Sequence, residues 1–387
     1  MSSYAQKILV GLLLLMLVCC VEQVDIKSEA YKKLLIVEGY LSGDTRNHRI
    51  LLSNTSPIND REVIPEQGAF VTISDSNGGL ISLSENEPGA YYTPFYAGTP
   101  GTSYQLHIET KDGRKFSSEK VEFKSTPDIK RIYAQYFNDR GFEDNGIEIY
   151  LDTDDPSATT RFYRWEFEET YELKTPFPSN FVWVGGNEVI FRDQPVDRCW
   201  ATDSSANVMI ATTVGLVQDK ISQYPLTYIK ATTEFMRIKY SLLVRQYALD
   251  ENGYLFWKMI RDVNQTQGSL FDIQTGAVRG NILSVDDPSQ QVLGYFAAGA
   301  VKEKRVFFSP ADFVKDGYKP AKYLSSCLEY VPVEIPGDQI GAYMEKNHDT
   351  MEISETTGAG IVTMIIRPKY CCNCTNKGTN IRPSFWQ

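Results

Sequence analysis

The chain has 387 residues, 42% of them hydrophobic, and a formal net charge of −10. That size allows two packed domains, and an acidic balance without any block of basic residues argues against nucleic acid as a partner. Only 3 histidines stand beside 23 tyrosines and 19 phenylalanines, which argues against a histidine-built metal enzyme and for β-structure.

The N-terminus reads as a sorting signal. Residues 1–7 are polar and carry one positive charge, Lys7. An apolar run from Ile8 to Val21 follows. It is about fourteen residues, too short for a bilayer span and right for a signal peptide. The run ends Leu17-Val18-Cys19-Cys20, with a branched apolar residue three before Cys20 and a small residue just before it. This predicts cleavage after residue 19, a lipid-modified Cys20 and a lipidated tether over residues 20–31. Several acyl chains would hold such a protein firmly on a membrane, where one would not. The acidic tether Val21-Glu-Gln-Val-Asp-Ile26 is either a plain spacer or a signal for export to the surface.

Residues 32–125 read as an immunoglobulin-like β-sandwich. Short apolar runs are expected near 34–41, 49–52, 69–73, 80–83, 90–95, 104–108 and 115–123. Turn signals such as Asn77-Gly-Gly79 and Asp112-Gly113 separate them. Val71 and Ile73 alternate with polar neighbours, as do Tyr104, Leu106 and Ile108. Period two means one buried face and one wet face, and about seven such strands in this length suit a sandwich. Lys124-Ser-Thr-Pro-Asp128 reads as a linker.

Residues 129–387 read as a larger β-rich domain with at least one helix. Strands are expected near 147–151, 162–173, 237–247, 292–301, 305–309 and 361–367. The helix starts at Asp250 as a cap, carries Leu255, Met259 and Val263 with Phe256 and Ile260, and stops at Gln267-Gly268. Tyr163, Trp165 and Phe167 alternate, either as a stacking platform for a glycan or peptide or as the core face of a strand. Glu148, Asp152, Asp154 and Asp155 gather either around Ca²⁺ or at a solvated turn.

Once Cys19 and Cys20 are set aside, five cysteines remain: Cys199, Cys327, Cys371, Cys372 and Cys374. In an exported chain two disulfides and one spare thiol are the natural count. A bridge from Cys199 or Cys327 to the terminal cluster would tie the tail down. Competing arrangements are a zinc site from Cys199, Cys327, Cys371 and Cys374, or a redox Cys-x-x-Cys. Asp349-Thr350-Met351 fits a short O-glycosylation acceptor at Thr350. No phosphate-cradling loop, HExxH or GxSxG elbow occurs, so no cofactor and no enzyme activity are expected.

Several strings in order carry a family resemblance: Leu35-Ile-Val-Glu-Gly-Tyr-Leu41, Gly68-Ala-Phe-Val71, Tyr163-Arg-Trp-Glu-Phe-Glu-Glu-Thr-Tyr171, Arg198-Cys-Trp200, Gly268-Ser-Leu-Phe-Asp272, Gly280-Asn-Ile282, Val292-Leu-Gly-Tyr-Phe296 and Arg382-Pro-Ser-Phe-Trp386. Together they resemble the Bacteroidota lipoprotein family catalogued as domain of unknown function 4249. The resemblance implies an outer-membrane lipoprotein accessory to a TonB-dependent transporter, which captures a glycan or peptide ligand or gates the pore. Cys372 departs from the family's Cys-x-x-Cys tail. The rival readings are a structural or assembly lipoprotein that binds envelope proteins alone, and a hydrolase with a scattered carboxylate pair.

Overall fold

The computed structural model describes residues 33–56, 63–141, 144–266, 280–357 and 362–387. The signal peptide, Cys20, the tether, the expected helix stop at Gln267-Gly268 and the string 268–272 lie outside the described residues. The protein is mainly β, with several sheets and a few helices.

The expected N-terminal strands form, and they belong to two sheets. In the first, Leu35–Ser42 pairs antiparallel with Arg49–Asn54, which pairs with Ala90–Tyr92 and that with Ser84–Glu87. In the second, Phe70–Asp75 lies between Leu80–Ser82 and Ser103–Glu109, and the sheet continues to Lys115–Ser118. The alternation works as read: Val71, Ile73, Leu106 and Ile108 are buried while Phe70 points out. One apolar cluster gathers side chains from both sheets.

That cluster does not close within residues 32–125, and the predicted domain boundary is corrected here. Leu293–Gly299 adds to the first sheet as a parallel neighbour of Leu35–Ser42. Ile282–Ser284 extends the second beside Lys115–Ser118. Ile282, Val292, Phe296 and Ala298 sit in the shared core. Without them the first strand would show an open edge and the core would lack one wall. Gly294 makes the parallel pairing fit. Its φ is +117°, and a Cβ there would lie 1.8 Å from the Val37 carbonyl oxygen, so no other residue suits it.

A central unit follows. Ile129–Phe137, Gly146–Asp154 and Lys220–Lys230 form one sheet. A second runs Arg198–Ser204, Phe162–Lys174, Tyr240–Leu249 and Val301–Phe308. Their inner faces share a second core around Ile149, Trp165, Leu242 and Val244. A third core lies under the sheet of Val333–Pro336, Thr363–Pro368 and Met351–Thr357, against the helix Ile340–Asn347.

The linker is bonded rather than loose. Lys124 donates to the Ala298 carbonyl at 3.2 Å and accepts from the Ala300 amide at 2.8 Å. The Thr126 hydroxyl donates to Ala300 at 2.6 Å and accepts from the Ala248 amide at 3.1 Å. Gln246 reaches the Pro127 carbonyl at 2.7 Å. Since Leu293–Gly299 and Val301–Phe308 flank Ala300, one continuous stretch joins the first and central units.

The helix is Glu251–Thr266, capped as expected: Asp250 accepts from the Gly253 amide at 2.7 Å. Its packed face differs from the predicted stripe. Leu255 is 51% exposed, whereas Gly253 and Phe256 are buried, because Phe256 packs on Tyr295 with ring centres 5.3 Å apart.

Two disulfides hold the C-terminus, Cys199–Cys374 and Cys327–Cys371. The bridges overturn the zinc and Cys-x-x-Cys redox readings, because Cys371 and Cys374 each bond elsewhere. The first closes 175 residues, a loop that restricts the unfolded chain by on the order of 5 kcal/mol. The tail lies on the central sheet. Thr379 pairs with Trp200, and Trp386 is buried against Phe307 and Trp200. Arg305 sits 3.5 Å over the Phe385 ring. Ile381, by contrast, is 71% exposed and does not help to hold the tail.

Candidate ligand-binding cleft

Strand Phe162–Lys174 presents two faces. Tyr163, Trp165 and Phe167 point into the central core, the first two fully buried. Tyr163 bonds Asp219 at 3.0 Å and Trp165 bonds Gln246 at 2.8 Å. The aromatic stripe is therefore a core face, and the binding-platform reading is corrected. The alternate residues, Arg164 and Glu166, point the other way, toward the first sheet and the helix.

There they line a cavity of about 330 Å³ where the first sheet, the second sheet of the central unit and the helix meet. Leu35–Ser42 contributes Glu38 and Tyr40, the following loop Arg46, the strand Arg49, and the helix Trp257. The Arg164 guanidinium lies 4.0 Å from the Trp257 ring centre and 4.8 Å from that of Tyr247, its cross-strand neighbour. It pairs with Glu166, which also accepts from the Tyr247 hydroxyl at 2.8 Å. Tyr40 meets Tyr247 edge-on at 5.0 Å.

Only 12% of the Arg164 side chain is exposed. Burial pulls its pKa below the ordinary guanidinium value, and burial likewise raises that of Tyr40. A desolvated guanidinium between aromatic faces binds anions more strongly than one in water. Arg46 and Arg49 add cations, and among the described residues neither has a carboxylate at ion-pair distance. Three cations thus face two carboxylates, Glu38 and Glu166. His48, at the rim, is committed to the fold: its ring nitrogens lie 2.8 Å from the Tyr96 carbonyl and 3.4 Å from the Ser42 amide.

The other expected sites resolve separately. Asp152 pairs with Arg131 at 2.5 Å, Asp154 with Lys130 and Glu148 with Arg140. Asp155 is filled by Ser157, Thr159 and Thr160. These four carboxylates do not converge on a cation site, and among the described residues no group of three or more metal-ligating side chains does. Thr350 is exposed in the turn after Ile340–Asn347. No helix among the described residues is long and apolar enough to cross a membrane.

The cleft residues went unread in the sequence because they are scattered from Glu38 to Ala297. The available signal was parity: an arginine between two buried aromatic positions must face away from their core.

No curated protein matches the sequence. Among solved structures, similarity is found to a DUF4785 family protein from Legionella pneumophila (11% identity, 55% of this chain and 52% of that one, TM-score 0.20). It also extends to the adhesin InvE of Yersinia pseudotuberculosis (14%, 56% and 55%, TM-score 0.16) and to a Salmonella alpha-2-macroglobulin (12%, 59% and 14%, TM-score 0.18). The chain spans about half the length of the first two and a smaller share of the third. Residues 21–305 match the family described as Domain of unknown function (DUF4249), and the chain belongs to that family.

Proposed function

We propose that the protein is a non-enzymatic lipoprotein of the outer membrane, anchored through Cys20, that captures a ligand for a TonB-dependent transporter. The junction cleft carries this reading. It has the volume of a small-ligand site, lies wholly within the family-matched residues, and sets a desolvated Arg164 between Trp257 and Tyr247. Such a site suits a glycan or peptide with a negative group, held by charge and an aromatic face.

The anchor is tested by fatty-acid labelling in the native host: Cys20→Ala should take up no label. Affinity purification from native membranes with mass spectrometry tests the rest. Co-purification of a barrel transporter and a small anionic ligand, with the ligand lost in Arg164→Leu, is the expected result. No barrel partner, or a ligand retained by that variant, would overturn the reading.

A second reading, an assembly lipoprotein binding envelope proteins alone, draws on one observation. Val214, Leu216 and Val217 are 59%, 54% and 99% exposed on one loop. A barrel partner lost on Val217→Asp, with no small ligand recovered, would favour it.

A further inference from the structure

A second concavity lies at the other end of the central unit. Strand Phe162–Lys174 runs from the junction cleft to it, and its 13 residues span roughly 40 Å at about 3.3 Å each. Two chambers of about 350 and 660 Å³ share Thr232 and Lys322 as a common wall, so they form one groove. Both disulfides brace the smaller chamber, with Cys327 and Cys374 in its lining.

The groove is cationic in an acidic protein. Lys174, Arg237, Lys319, Lys322 and Lys377 line it, against a single carboxylate, Glu234. Glu234 is already shared by Lys377 at 2.7 Å and Arg237 at 3.5 Å. Among the described residues no carboxylate lies at ion-pair distance from Lys174, Lys319 or Lys322. The larger chamber is walled mainly by apolar groups: the Tyr136 ring, Ala231, Pro320 and Ala321.

We infer that this groove binds an extended acidic peptide, with carboxylates on the lysines and an apolar side chain in the larger chamber. Charge complementarity selects an anion. A sugar chain needs open ring faces, and two of the lining rings have theirs covered. Arg237 covers Tyr323 at 4.6 Å, and Phe235 is stacked on Tyr171 at 4.2 Å. The larger chamber, walled mainly by apolar groups and edged by Lys319 and Lys322, has room for an apolar side chain. This site is independent of the junction cleft, and much of it lies beyond residue 305, where the family match ends.

The test uses the purified full-length lipoprotein in detergent and a labelled pentapeptide, Glu-Leu-Glu-Leu-Glu, followed by fluorescence anisotropy. Saturable binding that weakens with salt is expected. Lys322→Glu and Lys319→Glu should each weaken it at least tenfold. Both side chains are exposed, so neither change threatens folding. Lys258→Glu, on the helix near the junction, should leave it unchanged. A Lys-Leu-Lys-Leu-Lys peptide should not bind, and an oligogalacturonate of equal charge should bind at least tenfold more weakly. Absent binding, binding insensitive to the two groove variants, or oligogalacturonate bound as tightly as the peptide would each overturn the assignment.

Discussion

The side chain of Asn281 holds both backbone groups of Phe296: its amide donates to the Phe296 carbonyl at 2.8 Å, and its oxygen accepts from the Phe296 N–H at 2.9 Å. Its own carbonyl accepts from the Glu119 amide at 2.8 Å. One buried residue thus stitches the parallel edge strand of the first sheet to the second sheet. Asn281→Ala would leave two buried backbone groups unpaired, a loss of roughly 2–4 kcal/mol. Urea unfolding of the variant measures it, and a change below about 0.5 kcal/mol would mean the stitch is dispensable.

The same stitch predicts the behaviour of a fragment. Residues 32–125 alone lack Ile282–Ser284 and Leu293–Gly299, and with them Phe296 and Ala298 of the core. Expressed alone, the fragment should show no cooperative melt. A chain in which residues 280–300 are joined to it by a flexible linker should regain one. Cooperative melting of residues 32–125 by themselves would show that the late strands are an addition to a complete core.

Cys372 is the one thiol outside the bridges among the described residues, and it is buried. Burial pushes it up to about 12, with the nearby Arg367 charge lowering it and Glu352 and Glu355 raising it. A thiol so protonated reacts slowly. Of the five cysteines from Cys199 onward, iodoacetamide at pH 8 should therefore label none in the folded protein. In denaturant without reductant it should label one of these five, Cys372. Labelling of Cys199 or Cys327 in that second experiment would contradict the two bridges.

Glu169 is half-buried opposite Asp203 on the neighbouring strand, and the hydroxyl of the core residue Tyr240 donates to it. Burial raises its pKa above the ordinary 4.5, the Tyr240 bond lowers it, and the Asp203 charge raises it further. Folded protein therefore holds this proton to higher pH than unfolded chain does, so the group removes stability as pH rises past 4.5 toward the raised value. Glu169→Gln keeps an acceptor for Tyr240 and carries no charge. It should be more stable than the parent at pH 7, with the difference gone below about pH 4.5, the ordinary value. Denaturation midpoints at the two pH values decide it; a gap that grows at acid pH would reverse the sign.

Local chemistry was legible in the sequence wherever its physical cause is local. Val71, Ile73, Leu106 and Ile108 take the buried side as their alternation says, because a strand's side chains have no other period. Asp250 caps the helix because the cap needs only the next turn. The family strings were ordered and recognisable, and two of them, around Asn281 and Phe296, proved to complete the first unit. Nothing local announces that Leu293–Gly299 returns to pair with Leu35–Ser42, because parallel partners share no turn. The disulfide partners were likewise open, since five sulfurs can form two bridges in several ways and only folding brings Cys199 to Cys374. The functional surfaces depend on the same long-range events. Arg164 is one polar residue in a strand until sheet, loop and helix converge and take its water away, and Lys322 comes to line a groove once the stapled tail brings Asn373, Cys374 and Lys377 to the same chamber.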